Sequence, residues 1–282
     1  MSLAFVLSLA LTQAPVQENS TPPAVVPDAA EVEVNEPVAE SVVKPQTEWW
    51  QRFTLSGFAR IGVFYTFPLQ DDQLVGSNGG FRVADFRLGL AFHPVDKLTI
   101  DASVELAAPL VDPLDPLTGR RIVDVRDAFV QYDIARFLEV RAGQFRPPFY
   151  AEMLQSDASI PFISRSVIAT GFNPPEAYGP RSGLAPDRQV GLQLGSARLG
   201  DVIGFKYALG VFNGNGLNQL FNDNNGVMPV GRVEVDFLRR LTLGINGFYN
   251  QRSEGVRPNR LTTNQLGYGA DYLYAHDNPA TL

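Results

Sequence analysis

The chain contains no cysteine and only two histidines, His93 and His276. The first absence excludes a disulfide scaffold, a thiolate nucleophile and a Cys-ligated metal centre, and the second leaves almost nothing for a His-based zinc or triad site. Catalytic residues, metal ligands and cofactors are therefore not expected. An excess of basic residues is missing as well. With a formal charge of −7 and a pI near 4.9, the chain lacks the basic footprint of a nucleic-acid binder. No apolar run reaches the roughly 18 residues of a membrane-spanning helix, so a membrane protein with this sequence has to span as strands.

Glycine is unevenly placed: none of the 25 precedes Gly57. The first 14 residues, MSLAFVLSLALTQA, read as the apolar core of a secretory signal peptide with small residues at Thr12 and Ala14, although no Lys or Arg precedes that core. A buried N-terminal helix is the other reading. Residues 15–46 hold six Pro, six acidic residues and one Lys, an acidic, Pro-rich tether with too little apolar content to fold. That tether carries five of the seven net negative charges, so the acidic pI says little about the folded part.

From about Trp49 onward the pattern has a period of two, as expected of strands. Leu55, Ala59, Ile61 and Val63 alternate with Thr54, Ser56, Arg60 and Gly62, with Phe58 on the polar side. Phe86, Leu88 and Leu90 oppose Asp85, Arg87 and Gly89, while Ile100, Ala102 and Val104 oppose Asp101, Ser103 and Glu105. Ten such segments can be counted to residue 274. Between residues 122 and 133 the lipid-facing register of Ala128, Val130 and Tyr132 also turns Asp124 and Arg126 outward. Either a position near the strand end or a β-bulge would accommodate them. Segments of this length, with aromatic ends and a polar second face, predict a transmembrane antiparallel β-barrel over residues 49–282.

The connections are sorted by length. Those at 66–80, 107–121, 146–187, 213–229 and 250–263 are long, and those at 93–97, 134–137, 196–201 and 238–240 are short, in the alternation expected of external loops and periplasmic turns. The longest, 146–187, exceeds the usual limit for a structureless loop. Its apolar patches, from Pro147 to Phe149 and from Ile160 to Ile163, predict that it folds inward and packs. That would bring Arg146, Arg165 and Arg181 to a constriction, opposed by Glu152, Asp157 and Glu176. An external cap with solvated charges is the alternative.

Four stretches then carry a resemblance: VRAGQFRPPF at 140–149, SIPFISRS at 159–166, DRQVGLQL at 187–194 and YALGVFNGNG at 207–216. In this order they resemble the phosphate-selective porin family (porin O/P type) of Gram-negative outer membranes. The resemblance implies a 16-stranded homotrimeric barrel, a long third loop folded into the pore, and anion diffusion along inward Arg and Lys residues. It places Arg141 and Arg146 at the entry to that loop and Arg165 within it. Against sixteen strands the ten counted here imply an incomplete barrel.

The function expected on these grounds is an outer-membrane porin that passes small hydrophilic solutes, inorganic anions such as phosphate included, with outer-membrane lipid as its surroundings. Pore-lining candidates are Arg60, Arg87, Lys97, Arg141, Arg146, Arg165 and Arg181. The polar face also carries Arg232 together with Asp85, Asp101, Glu105, Glu139, Glu234 and Asp236, so no basic ladder is visible and weak anion preference is expected. Arg60 and Arg87 read equally as halves of wall ion pairs. The spacing of Asp101 and Glu105 puts two carboxylates on one face, but no apolar pocket or nucleophile accompanies them. Two readings rival the pore: a non-conducting outer-membrane structural or anchoring barrel, and a soluble β-rich ligand-binding protein.

Overall fold

The computed structural model describes residues 2–12, 48–66, 80–109, 121–160, 165–166, 185–219, 221–222, 224–254 and 261–274. Eleven strands form one antiparallel sheet in sequence order: β1 (Ser2–Thr12), β2 (Phe53–Thr66), β3 (Gly80–Val95), β4 (Leu98–Pro109), β5 (Arg121–Ala135), β6 (Leu138–Phe145), β7 (Gln189–Gly195), β8 (Ile203–Phe212), β9 (Met228–Phe237), β10 (Leu241–Glu254) and β11 (Leu261–Tyr274). β1, the segment read as a leader, pairs with β2 along its whole length, from Ser2 opposite Thr66 to Thr12 opposite Ser56. The tether, 15–46, lies outside the described residues.

The alternation sorts the side chains into two faces. Leu55, Ile61, Leu90, Leu194, Leu209 and Ile245 are exposed on one face, whereas Ser103, Glu105, Gln193, Arg232 and Asn246 are buried on the other. Cross-strand pairs lock the register, as where Phe53 stands opposite Phe92 and their rings stack at 4.4 Å. In β5 a bulge resolves the conflict over the outward charges. Ala102 and Val104 of β4, two residues apart, pair with Ala128 and Val125 of β5, three residues apart. The extra residue keeps Val125 and Ala128 on the apolar face while Asp124, opposite Glu105, and Asp127, bonded to Ser103, share the polar one.

Short turns occupy 96–97, 136–137 and 238–240, and the last takes Leu238 and Arg239 to φ of 53° and 59°. The alternation of connection lengths is less strict than the sequence predicts. β10 runs to Glu254 and β11 begins at Leu261, so the connection expected at 250–263 shrinks to 255–260, shorter than the turn between β7 and β8.

The sheet curls, and the loop after β6 shows by how much. The amide of Ala151 donates to Asp271 Oδ2 on β11, while six residues later Asp157 accepts from Arg87 on β3. In a flat sheet eight strand spacings of about 4.8 Å would separate β3 from β11 by roughly 38 Å. Six steps along the chain span at most about 22 Å, and Ala151–Leu154 is a helical turn with a rise of only about 1.5 Å per residue. The sheet must bend around the loop, with its polar face concave.

Curling does not become closure. Among the described residues no ladder joins β11 to β1, so the expected transmembrane β-barrel, whether of ten or sixteen strands, is corrected to an open eleven-stranded sheet. The physical reason lies in strand direction. In a sequence-ordered antiparallel sheet β1 and β11 run the same way, so pairing them would require the one parallel contact in the assembly. Alternation within a strand is identical in an open sheet and a closed one, which is why the pattern does not distinguish them.

Candidate functional site

The loop entering from β6 is built to pack against the concave face. Gly143 adopts φ of +132°, where an added Cβ would stand 2.2 Å from the carbonyl oxygen of Ala128. Phe145 turns inward with the same alternation that turns Arg141 inward, and after the rigid pair Pro147–Pro148 the chain delivers Phe149 there too. Phe145, Phe149, Met153, Phe212, Met228 and Phe248 form one buried apolar cluster. Phe149 meets Phe248 edge-on at 4.9 Å and Phe145 meets Phe212 at 5.3 Å. Residues of the loop, β6, β8, β9 and β10 thus share a dry core on the face where a lumen was expected.

On the other side the loop is held by charge. Asp157, buried in a 3-10 turn (Asp157–Ser159), accepts from Arg87 Nη1 at 2.5 Å, Arg146 Nη2 at 3.1 Å and Arg165 Nη2 at 2.5 Å. Burial raises the Asp157 carboxyl, but the guanidinium groups of Arg146, Arg87 and Arg165 outweigh it and hold the group well below the usual carboxylate range. Arg146 and Arg165 also donate to backbone carbonyls of Met153, Glu152 and Gln155, wrapping the turn around its central acid. Arg87 reaches Glu105 Oε2 at 3.4 Å, and Arg188 makes a two-point contact to Asp127 at 2.8 and 2.9 Å.

Five of the sequence candidates lie on the concave side. Arg87, Arg146 and Arg165 converge on Asp157. Arg60 pairs instead with Asp85 on β3, and its guanidinium stands 5.8 Å from the centre of the Phe58 ring. Arg141 lies over Phe129 and Phe145, at 4.7 and 5.4 Å, and donates to Gln131 Oε1. Lys97 is remote, in the β3–β4 turn, donating to the carbonyl of Ile134. Arg181 lies outside the described residues. Sequence reasoning placed Arg232 on the polar face without assigning it a partner, and it did not single out Arg188, Asp127 or Asp271. Arg232 contacts both Asp271 oxygens at 2.6 Å, and Asp271 also binds Asn246 and the loop amide of Ala151. These partners lie 39 or more positions apart except for Asn246, and no local spacing announces them.

Between the loop and strands β2 to β6 a cavity of about 410 Å³ remains, lined by Arg87, Asp101, Arg141, Arg146, Leu154 and Arg188 among others. Among the described residues no group of three or more His, Cys, Asp and Glu is arranged to hold a metal ion.

The geometry corrects the function expected from the pattern. Passive diffusion of hydrophilic solutes needs a wall closed around water, and among the described residues this sheet has no ladder joining its two edges and a concave face filled in part by apolar packing. The descriptions porin channel, closed transmembrane barrel and phosphate transport therefore do not hold for this chain as folded. Neither the curated proteins nor the solved structures compared with it include a match. A comparison with protein families does: residues 58–224, from β2 to the connection after β8, match phosphate-selective porin O and P. Spanning more than half of the sequence, that match shows that the chain belongs to the phosphate-selective porin O and P family.

Proposed function

We propose that this protein is a non-conducting structural domain seated in the outer membrane, with its convex apolar face toward lipid and its concave face packed by its own loop. The observation that carries the reading is the dry contact of Phe149 and Met153 with Phe212, Met228 and Phe248, on the face that a channel leaves wet. The convex face supports it. Leu55, Leu209 and Ile245 are 63%, 55% and 64% exposed, and they belong to an apolar surface that continues from strand to strand. Contiguous apolar surface beyond a few hundred Å² calls for a cover, and membership of an outer-membrane family favours lipid over a soluble ligand-binding role. Backbone groups on the outer edges of β1 and β11 would cost several kcal/mol each if left unbonded in hydrocarbon. The proposal therefore commits to those edges being covered in the membrane.

The test has two arms. Membranes containing the protein are washed with alkaline carbonate, and the purified protein is then added to planar bilayers. Retention in the membrane with no unitary current steps is the expected result. Release by carbonate would return the soluble reading, and discrete steps would end the non-conducting one.

A further inference from the structure

The cavity beneath the loop is lined by arginines and aspartates that are nearly all satisfied by one another. Arg87 and Arg146 are held by Asp157, and Arg188 by Asp127. Two lining residues stand apart. The carboxylate of Asp101 makes no side-chain hydrogen bond or ion pair among the described residues, and the guanidinium of Arg141 has no carboxylate partner, only the neutral oxygen of Gln131. A wall that pairs its other charges but leaves one anion and one cation facing the same cavity is arranged for an occupant with both signs.

We propose that this cavity binds a small zwitterion, an α-amino acid, with its ammonium on Asp101 and its carboxylate on Arg141. The register brings the two charges together. Asp101 pairs across the sheet with Phe129, and the Arg141 guanidinium is centred 4.7 Å from the Phe129 ring. Asp101 on β4 and Arg141 on β6 thus face the cavity from either side of β5, across two strand spacings of about 4.8 Å each, and the Arg141 side chain covers part of that gap by lying over the Phe129 ring, which leaves room between the two charges for a small molecule that carries both. Phe129 and Phe145 hold the guanidinium plane in place, so it is positioned before the ligand arrives. The volume of about 410 Å³ lies within the range of small-molecule sites. Leu154, 42% exposed although it sits in the packed loop, supplies an apolar wall for the amino acid's side chain.

Isothermal titration calorimetry of the full chain, refolded in detergent, tests this with L-leucine, with 4-methylpentanoate (no ammonium), with 3-methylbutylamine (no carboxylate) and with inorganic phosphate. L-leucine is expected to bind, and each single-charge analogue to bind at least about tenfold more weakly, as the loss of one charge-assisted hydrogen bond implies. Asp101→Asn and Arg141→Gln should each weaken L-leucine about tenfold or more, while Asp101→Asn leaves 4-methylpentanoate within about twofold. Leu154→Trp fills the cavity from the loop without touching either charge, and it should abolish binding even if a charge variant does not refold. Absence of leucine binding in the parent overturns the proposal. So does binding of 4-methylpentanoate or phosphate as tight as that of leucine, which would make this a plain anion site.

Discussion

Arg87 on β3 and Asp157 in the loop, seventy positions apart, meet at 2.5 Å between Nη1 and Oδ2. The contact fixes where the loop crosses the curled sheet, because Asp157 is also the acceptor for Arg146 and Arg165, both from the loop itself. One carboxylate thereby joins the loop's fold to the wall. Its loss would leave three guanidinium groups clustered with little to offset them.

Asp157→Ala is accordingly expected to destabilise the protein by about 3–5 kcal/mol, the cost of removing one partner from a buried ionic cluster. Guanidinium unfolding of the detergent-refolded protein measures it. A loss below about 1 kcal/mol would mean that the loop is held by its apolar side alone.

The apolar side should be comparably sensitive. Phe149→Ala is expected to cost about 3–5 kcal/mol and to open the loop to proteolysis, because the ring leaves a void against Phe248. Phe149→Leu, which refills most of that volume, is expected to stay under about 1.5 kcal/mol. Equal losses from both would argue against a packed seat.

The convex face offers a contrast with the concave one in lipid. Ile245→Arg is expected to cost about 2–4 kcal/mol in vesicles if the residue lies near the bilayer midplane. Lys206→Gln, at an exposed position on the concave side, should change stability by no more than about 0.5 kcal/mol. Unfolding titrations in vesicles measure both variants, and similar losses from the two would mean that the convex and concave faces are assigned wrongly.

Acid provides a further check. The folded-state pKa of Asp157 is depressed, so its contribution is complete above the unfolded value of about 3.9 and is lost only as pH falls through the lower folded one. Protection of the Ala158 and Ser159 amides, taken relative to intrinsic exchange at each pH, should be the same at pH 4.5 as at pH 7 and should fall only in more strongly acidic solution. Opening with a midpoint between pH 5 and 6 would show that another group controls the loop.

Much of the sheet was legible in the sequence because a strand's two faces are written residue by residue. Leu88, Leu90 and Arg87 declare their sides without reference to any distant part of the chain, whereas the conflict at Asp124 and Arg126 left a strand-end position and a bulge both open until the structure showed the bulge in β5. Pro147, Pro148 and Phe149 likewise announced a loop that packs. What the tertiary structure decided was partnership. Arg146 and Arg165 were legible as loop cations, but their convergence with Arg87 on Asp157 depends on the curl of the sheet, as do the pairs Arg188–Asp127 and Arg232–Asp271. Closure belongs to the same class. It is a relation between the first strand and the last, and no period-two pattern within either strand encodes whether their edges meet. Periodicity is local and set by backbone geometry, whereas edge pairing and ion-pair partners are set by where distant segments are brought in space.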